Sequence, residues 1–77
     1  MAESVYKVIE LIGSSTESWE EAAKAAVERA AVSLRDLRVA EVVEQDVLID
    51  GGGRIEAYRT KVRVSFKYEK SGPEGLA

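Results

Sequence analysis

The chain contains neither cysteine nor histidine among its 77 residues, and it has only one proline. Without cysteine and histidine there can be no disulfide, no ordinary structural zinc site and none of the usual nucleophile–base pairs of enzymes. No apolar run approaches the roughly 18 residues of a transmembrane helix, and the first residues lack the basic and apolar regions of a secretory signal. These absences predict a cytoplasmic protein that is not an enzyme.

Charges of both signs are spread along the chain, which has 32% charged residues and a net charge of −3. Neither a basic patch suited to nucleic acid nor a polybasic membrane anchor stands out in this pattern. The sequence therefore predicts no nucleic-acid partner and no membrane partner.

The chain is short for a domain that must be stable by itself. A single core of this size supplies only about 3–5 kcal/mol without a further source of stability. Because disulfides and zinc are excluded, association with further copies is the remaining common source, and we expect a symmetric homo-oligomer. Each copy is predicted to be one domain, residues 4–68, followed by a flexible tail at 69–77 that carries two glycines and the proline.

The longest ordered stretch is predicted to be a hairpin of two extended segments, residues 39–50 and 54–68, joined by Gly51–Gly53. Apolar and polar residues alternate in the second segment, as in a strand with one buried face. The first segment has apolar residues on both faces, which indicates that something packs on each side. Since no helix follows the three glycines, a hairpin loop is a better interpretation than a phosphate-binding loop.

A strand and a helix are predicted before the hairpin. Residues 4–12 are rich in valine, isoleucine and tyrosine and end at a Gly-Ser-Ser-Thr turn, which predicts a strand. Ser18 and Glu21 have capping-box spacing, and apolar residues then recur every three or four positions to about Leu37. Trp19, in the first helical turn, is interpreted as a core or subunit-contact residue in preference to a ligand platform.

A right-handed crossover from the first strand through the helix leaves room for the third strand between the other two. The predicted fold is therefore α+β, with β-α-β-β element order and a three-stranded antiparallel sheet of strand order 1-3-2.

The hairpin holds the main cluster of ionisable side chains. Three carboxylates, Glu41, Glu44 and Asp46, belong to its first segment. The second segment carries three alternating cations, which we call the hairpin cations: Arg59, Lys61 and Arg63. A sheet face with cross-strand ion pairs is a better interpretation of this pattern than an acid–base catalytic site.

Four segments, taken together and in order, resemble the dodecin family: VYKVIELIGSS at 5–15, SWEEAAKAAVERA at 18–30, AEVVEQDV at 40–47 and VSFK at 64–67. The resemblance covers nearly the whole chain except the tail. It implies a sheet wrapped round its own helix and copies closed into a hollow homododecamer of 23 symmetry. It also implies a storage or sequestration protein for FMN, riboflavin or FAD, whose isoalloxazine ring stacks on a tryptophan.

The resemblance implies a cofactor site at Val39, Glu41, Gln45 and Arg59. Val39 stands where the family has its stacking tryptophan, and Arg59 stands where it has a glutamine that hydrogen-bonds to the flavin edge. Both of these family contacts are therefore replaced in this chain. Members that lack the tryptophan but keep a segment like AEVVEQDV are associated with calcium instead.

Three functional interpretations follow. The first is a dodecin shell that sequesters a flavin-class ligand in a remodelled pocket. The second is a shell that binds calcium, or another small ion or anionic ligand, without flavin. The third is an enzyme, for which the sequence offers no catalytic constellation.

For the calcium interpretation, the expected metal ligands are Glu44 and Asp46. Calcium takes about six to eight oxygen ligands, so symmetry-related copies are expected to contribute together. If Ile49 lies opposite Ile55 across the hairpin, both carboxylates are predicted to lie on the face away from the hairpin cations. Carboxylates without cationic partners are the ones expected to hold a metal.

Overall fold

The structure is a computed structural model that describes residues 3–68. In chain order the elements are β1 (Tyr6–Ser15), α1 (Trp19–Ser33), β2 (Leu37–Ile49) and β3 (Ile55–Lys67). The strands form one antiparallel sheet in the order β1-β3-β2. The predicted α+β fold, its element order and its strand order are confirmed. The predicted tail at 69–77 lies outside the described residues.

The helix α1 begins where the sequence predicts. The hydroxyl oxygen of Ser18 accepts a hydrogen bond of 3.0 Å from the backbone N–H of Glu21, which satisfies one of the free amides of the first turn. The helix ends at Ser33, so the prediction that it continues to Leu37 is wrong. Leu37 instead starts β2 opposite Phe66 and packs against the core, because this contact outweighs the helical periodicity of the sequence.

Small residues bring α1 close to the sheet. Its buried stripe is Ala22, Ala26 and Ala30, and the sheet places Val62 and Val64 opposite, both almost completely buried. At Gly13 of β1, a Cβ atom would overlap the carbonyl oxygen of Ala22. The strand β1 also continues through Gly13 to Ser15, into the predicted turn, because these residues pair with Thr60–Tyr58 of β3.

The loop between β2 and β3 is a hairpin loop, as predicted. The Asp50 carboxylate accepts hydrogen bonds from the backbone N–H groups of Gly52, at 2.9 Å, and Arg54, at 3.0 Å. Gly53 has φ 81°, a conformation that glycine adopts without a steric penalty. These hydrogen bonds close the turn.

The pairing of β2 with β3 shifts by one residue at three places along the hairpin. Ile49 lies opposite Ile55, but Leu48 lies opposite Ala57, so Glu56 is an extra residue on β3. Val43 is the corresponding extra residue on β2, and a further shift lies between Leu37 and Val39. Such bulges change which side chains face each other, because neighbouring residues of a strand point to opposite faces.

Much apolar surface of β2 stays uncovered. The helix packs mainly on β1 and β3 and contacts β2 least. Val39, Val42 and Ile49 are 60%, 52% and 63% exposed. Val42 faces the side of α1, opposite Val62, whereas Val39 faces the other side, opposite Ser65. The strand therefore exposes apolar side chains on both faces, as the sequence indicates.

Within residues 3–68, no helix is long and apolar enough to cross a membrane.

Candidate functional site

A row of ion pairs crosses the outer face of the sheet, which is the face away from α1. The even-numbered residues Thr60, Val62 and Val64 of β3 are buried under the helix, so the alternate residues of this strand point outward. The ion-pair row consists of Arg59 with Asp46, Lys61 with Glu44, and Arg63 with Glu10 and Glu41. The interpretation of the hairpin charges as a face of cross-strand ion pairs is confirmed.

The Arg59–Asp46 pair has the most specific geometry in the row. The Nε of Arg59 lies 2.7 Å from Asp46 Oδ1, and the Nη2 of Arg59 lies 2.8 Å from Asp46 Oδ2, so the guanidinium contacts both carboxylate oxygens. The hydrogen bond from Arg59 lowers the pKa of Asp46 and outweighs the opposing effect of desolvation. The same bond raises the pKa of Arg59. Such charge-assisted, two-point contacts are the strongest class of side-chain hydrogen bond.

The Arg63 guanidinium is shared between two strands. Its Nη2 lies 2.8 Å from Glu10 Oε2 on β1, and its Nη1 lies 3.4 Å from Glu41 Oε1 on β2. The hydrogen bond from Arg63 lowers the pKa of Glu10. Lys61 makes a single and longer contact, with its Nζ 3.3 Å from Glu44 Oε1. The row thus ties both outer strands to the central strand.

Trp19 connects the helix start to the ion-pair row. Its indole N–H donates a 2.9 Å hydrogen bond to the backbone carbonyl of Asp46, and its ring meets that of Tyr58 edge-on at 5.1 Å. The hydroxyl of Thr60 donates to the carbonyl of Trp19 at 2.9 Å. These contacts give Trp19 a structural role within the protomer, in line with its interpretation from the sequence.

The expectation that Glu44 and Asp46 lie away from the hairpin cations is wrong. With regular pairing from Ile49 and Ile55, both carboxylates would lie on the α1 side, but the extra residue Glu56 shifts the pairing. Both side chains therefore point to the outer face, where each meets a cation. In the sequence, Glu56 is the charged exception at the even-numbered positions of β3, which marks a local irregularity but does not fix how the two strands pair.

The four predicted cofactor residues do not come together in one protomer. Val39 and Glu41 lie two residues apart on the outer face, opposite Ser65 and Arg63. Arg59 lies six residues along β3 from Ser65, which corresponds to about 20 Å of strand. Gln45 lies opposite Thr60, on the side of α1. A single pocket that contains all four would need residues from more than one copy.

One protomer does not complete a calcium site either. No group of three or more acidic residues in the part of the chain from 3 to 68 is placed to hold a metal ion. Glu44 and Asp46 offer the hard oxygen donors that calcium prefers, and both reach the outer face. Two carboxylates are nevertheless too few for the shell of about six to eight oxygens, and both already have cationic partners.

Comparison with known proteins identifies the family. The family model named Dodecin matches residues 5–69. The chain belongs to the dodecin family. It is 54% identical over 70 residues to the calcium dodecin of Mycobacterium tuberculosis, an alignment that covers 91% of this chain and 97% of that protein. It is 39% identical over 67 residues to the dodecin of Thermus thermophilus, with coverage of 87% and 96%.

Solved dodecin structures share the fold of this chain. The crystal structure of the M. tuberculosis calcium dodecin, described as calcium chelating with a novel calcium-binding site, has a TM-score of 0.78 and 55% identity. It aligns with 92% of this chain and 100% of its own. The dodecin of Streptomyces coelicolor has a TM-score of 0.84 at 30% identity, with coverage of 92% and 100%. The family resemblance noted in the sequence is confirmed.

Proposed function

We propose that this protein is a dodecin-type binding and storage protein for a small ligand and is not an enzyme. We further propose that it acts as a closed homododecamer of 23 symmetry. The main support for this assembly is the apolar surface of β2, which α1 leaves exposed on both faces. Burying one large apolar side chain contributes about 1.5–3 kcal/mol, so further copies that cover this strand supply the stability that a small core lacks.

The first ligand class is a flavin: FMN, riboflavin or FAD. Family membership supports it, with Val39, Glu41, Gln45 and Arg59 brought together from neighbouring copies. Val39 offers the ligand an exposed apolar surface but no aromatic ring. Stacking on an aromatic side chain is worth about 1–3 kcal/mol per base. Flavin affinity is therefore expected to be lower by about 10- to 100-fold than with tryptophan at this position.

The second ligand class is calcium, and two observations favour it. A relative with 54% identity over most of the chain is named calcium dodecin. The outer face of β2 presents Glu44 and Asp46, with side chains 64% and 50% exposed. Around a symmetry axis these carboxylates would be repeated, and water would supply the remaining oxygens of the shell.

One pair of measurements on freshly purified protein separates the two ligand classes. Bound oxidised flavin gives a visible absorption spectrum, whereas a shell that holds calcium is colourless. Calcium is then titrated calorimetrically into chelator-treated protein and into its Glu44→Gln and Asp46→Asn variants. Glu28→Gln, on the exposed side of α1, is the matched control.

If calcium is the ligand, the wild type and Glu28→Gln bind it equally, and the two β2 variants bind it more weakly. No heat with the wild type refutes calcium. Unchanged isotherms in both β2 variants refute these two ligands. Protein that is colourless and binds neither calcium nor added flavin would contradict both ligand classes.

A further inference from the structure

We propose that Arg59 sets the affinity of the outer face for divalent cations, because it already neutralises Asp46 as an internal counter-ion. This inference rests on the calcium form of the proposed function and identifies the residue that regulates that site. A divalent cation at Asp46 has to displace the guanidinium or bind beside it, and removal of Arg59 is then expected to tighten cation binding.

Arg59 and Trp19 hold Asp46 by its side chain and by its backbone. Both of its carboxylate oxygens accept hydrogen bonds from Arg59, at 2.7 and 2.8 Å. Its backbone carbonyl accepts a third bond, from the indole of Trp19, at 2.9 Å. Because the backbone is held in this way, Asp46 keeps its side chain on the outer face beside Arg59. An incoming cation therefore meets the carboxylate and the guanidinium together.

The other two cations of the ion-pair row differ from Arg59. Lys61 makes one longer contact with Glu44, at 3.3 Å, and its flexible ammonium can turn away without breaking a two-point contact. Arg63 divides its bonds between Glu10 and Glu41, and neither carboxylate belongs to the predicted metal ligands. Arg63 is thus a matched control: the same residue type, on the same strand and face, with no contact to Asp46.

The size of the effect follows from simple electrostatics. Even with water between them, a divalent ion and a positive charge at contact distance repel enough to change a dissociation constant by about tenfold or more. Arg59→Met removes the charge and the two hydrogen bonds but keeps a long, flexible side chain. It is therefore expected to lower the dissociation constant for calcium by about tenfold, and Arg63→Met by less than about threefold.

Trp19 provides a local readout, because it is the single tryptophan of the chain and its indole is bonded to Asp46. Terbium, which replaces calcium at oxygen sites, luminesces when a nearby indole is excited. Terbium is titrated into assembled wild type, Arg59→Met, Arg63→Met and the double variant Arg59→Met/Asp46→Asn, and is then displaced by calcium. Light scattering verifies that all four proteins have the same assembly.

The expected result is stronger terbium luminescence at lower metal concentration for Arg59→Met alone, with the gain lost in the double variant. Equal tightening by Arg59→Met and Arg63→Met would show a general charge effect and overturn the inference. Wild type that binds calcium, with no gain in Arg59→Met, overturns it while the proposed function stands. If neither the wild type nor any variant binds terbium or calcium, the calcium function is refuted as well.

Discussion

At the scale of single residues, the guanidinium groups of Arg59 and Arg63 keep two carboxylates ionised in the folded protein. Their hydrogen bonds lower the pKa values of Asp46 and Glu10, so these groups bind protons less readily when folded than when unfolded. Stability from the two pairs is therefore complete above the unfolded pKa values of about 4, and is lost as the pH falls through the lowered folded values. Both pairs are solvent-exposed, which keeps the effect modest.

We expect thermal stability to fall as the pH is lowered below about 4, and to fall less in the double variant Asp46→Asn/Glu10→Gln. The amide side chains do not titrate, so this part of the acid sensitivity is removed. Melting temperatures measured by circular dichroism across this range provide the test. Identical pH profiles for the wild type and the double variant would contradict the assignment of the effect to these carboxylates.

We expect Val39 and Arg59 to limit flavin binding in the proposed pocket. Val39→Trp together with Arg59→Gln supplies a stacking ring and an amide that both donates and accepts hydrogen bonds. Riboflavin or FMN binding is then expected to tighten by at least about tenfold, measured by quenching of flavin fluorescence. If the wild type already binds as tightly as the double variant, some other residue supplies the stacking surface.

At the scale of elements, the contact of α1 with β1 depends on the missing side chain at Gly13. In Gly13→Ala, the new Cβ would collide with the Ala22 carbonyl, which belongs to the backbone and cannot rotate away. The helix must then shift from the sheet, which is expected to cost about 1–3 kcal/mol or more. Chemical denaturation measures the loss. Gly51→Ala is the control and should be nearly neutral, because no atom lies within 4 Å of its added Cβ.

At the scale of the whole molecule, the elongated protomer exposes more apolar surface than a small domain stable by itself is expected to leave uncovered. Its dimensions are 56 × 20 × 16 Å. The 13-residue strands β2 and β3 are longer than the 15-residue helix, because a strand rises about twice as far per residue. Light scattering at micromolar concentration is expected to give about twelve chain masses, and the melting temperature should rise with protein concentration. A monomer or dimer of ordinary thermal stability would refute the proposed dodecamer.

The sequence by itself determined the features that depend on neighbours along the chain. The cap at Ser18 and the alternation of β3 are local patterns, set by backbone hydrogen bonding and by the two faces of a strand. They were sufficient for the element types and, with the crossover rule, for the strand order. The ordered segments also placed the chain in its family.

The tertiary structure alone decided where distant residues meet. The bulge at Glu56 turned Glu44 and Asp46 to the outer face, towards Lys61 and Arg59. Leu37 joined β2 for the same kind of reason, since packing against the core across the sheet outweighed helical periodicity. A shift of one residue in pairing reverses the face of a whole strand segment, and its energy depends on contacts across the sheet that no local pattern contains.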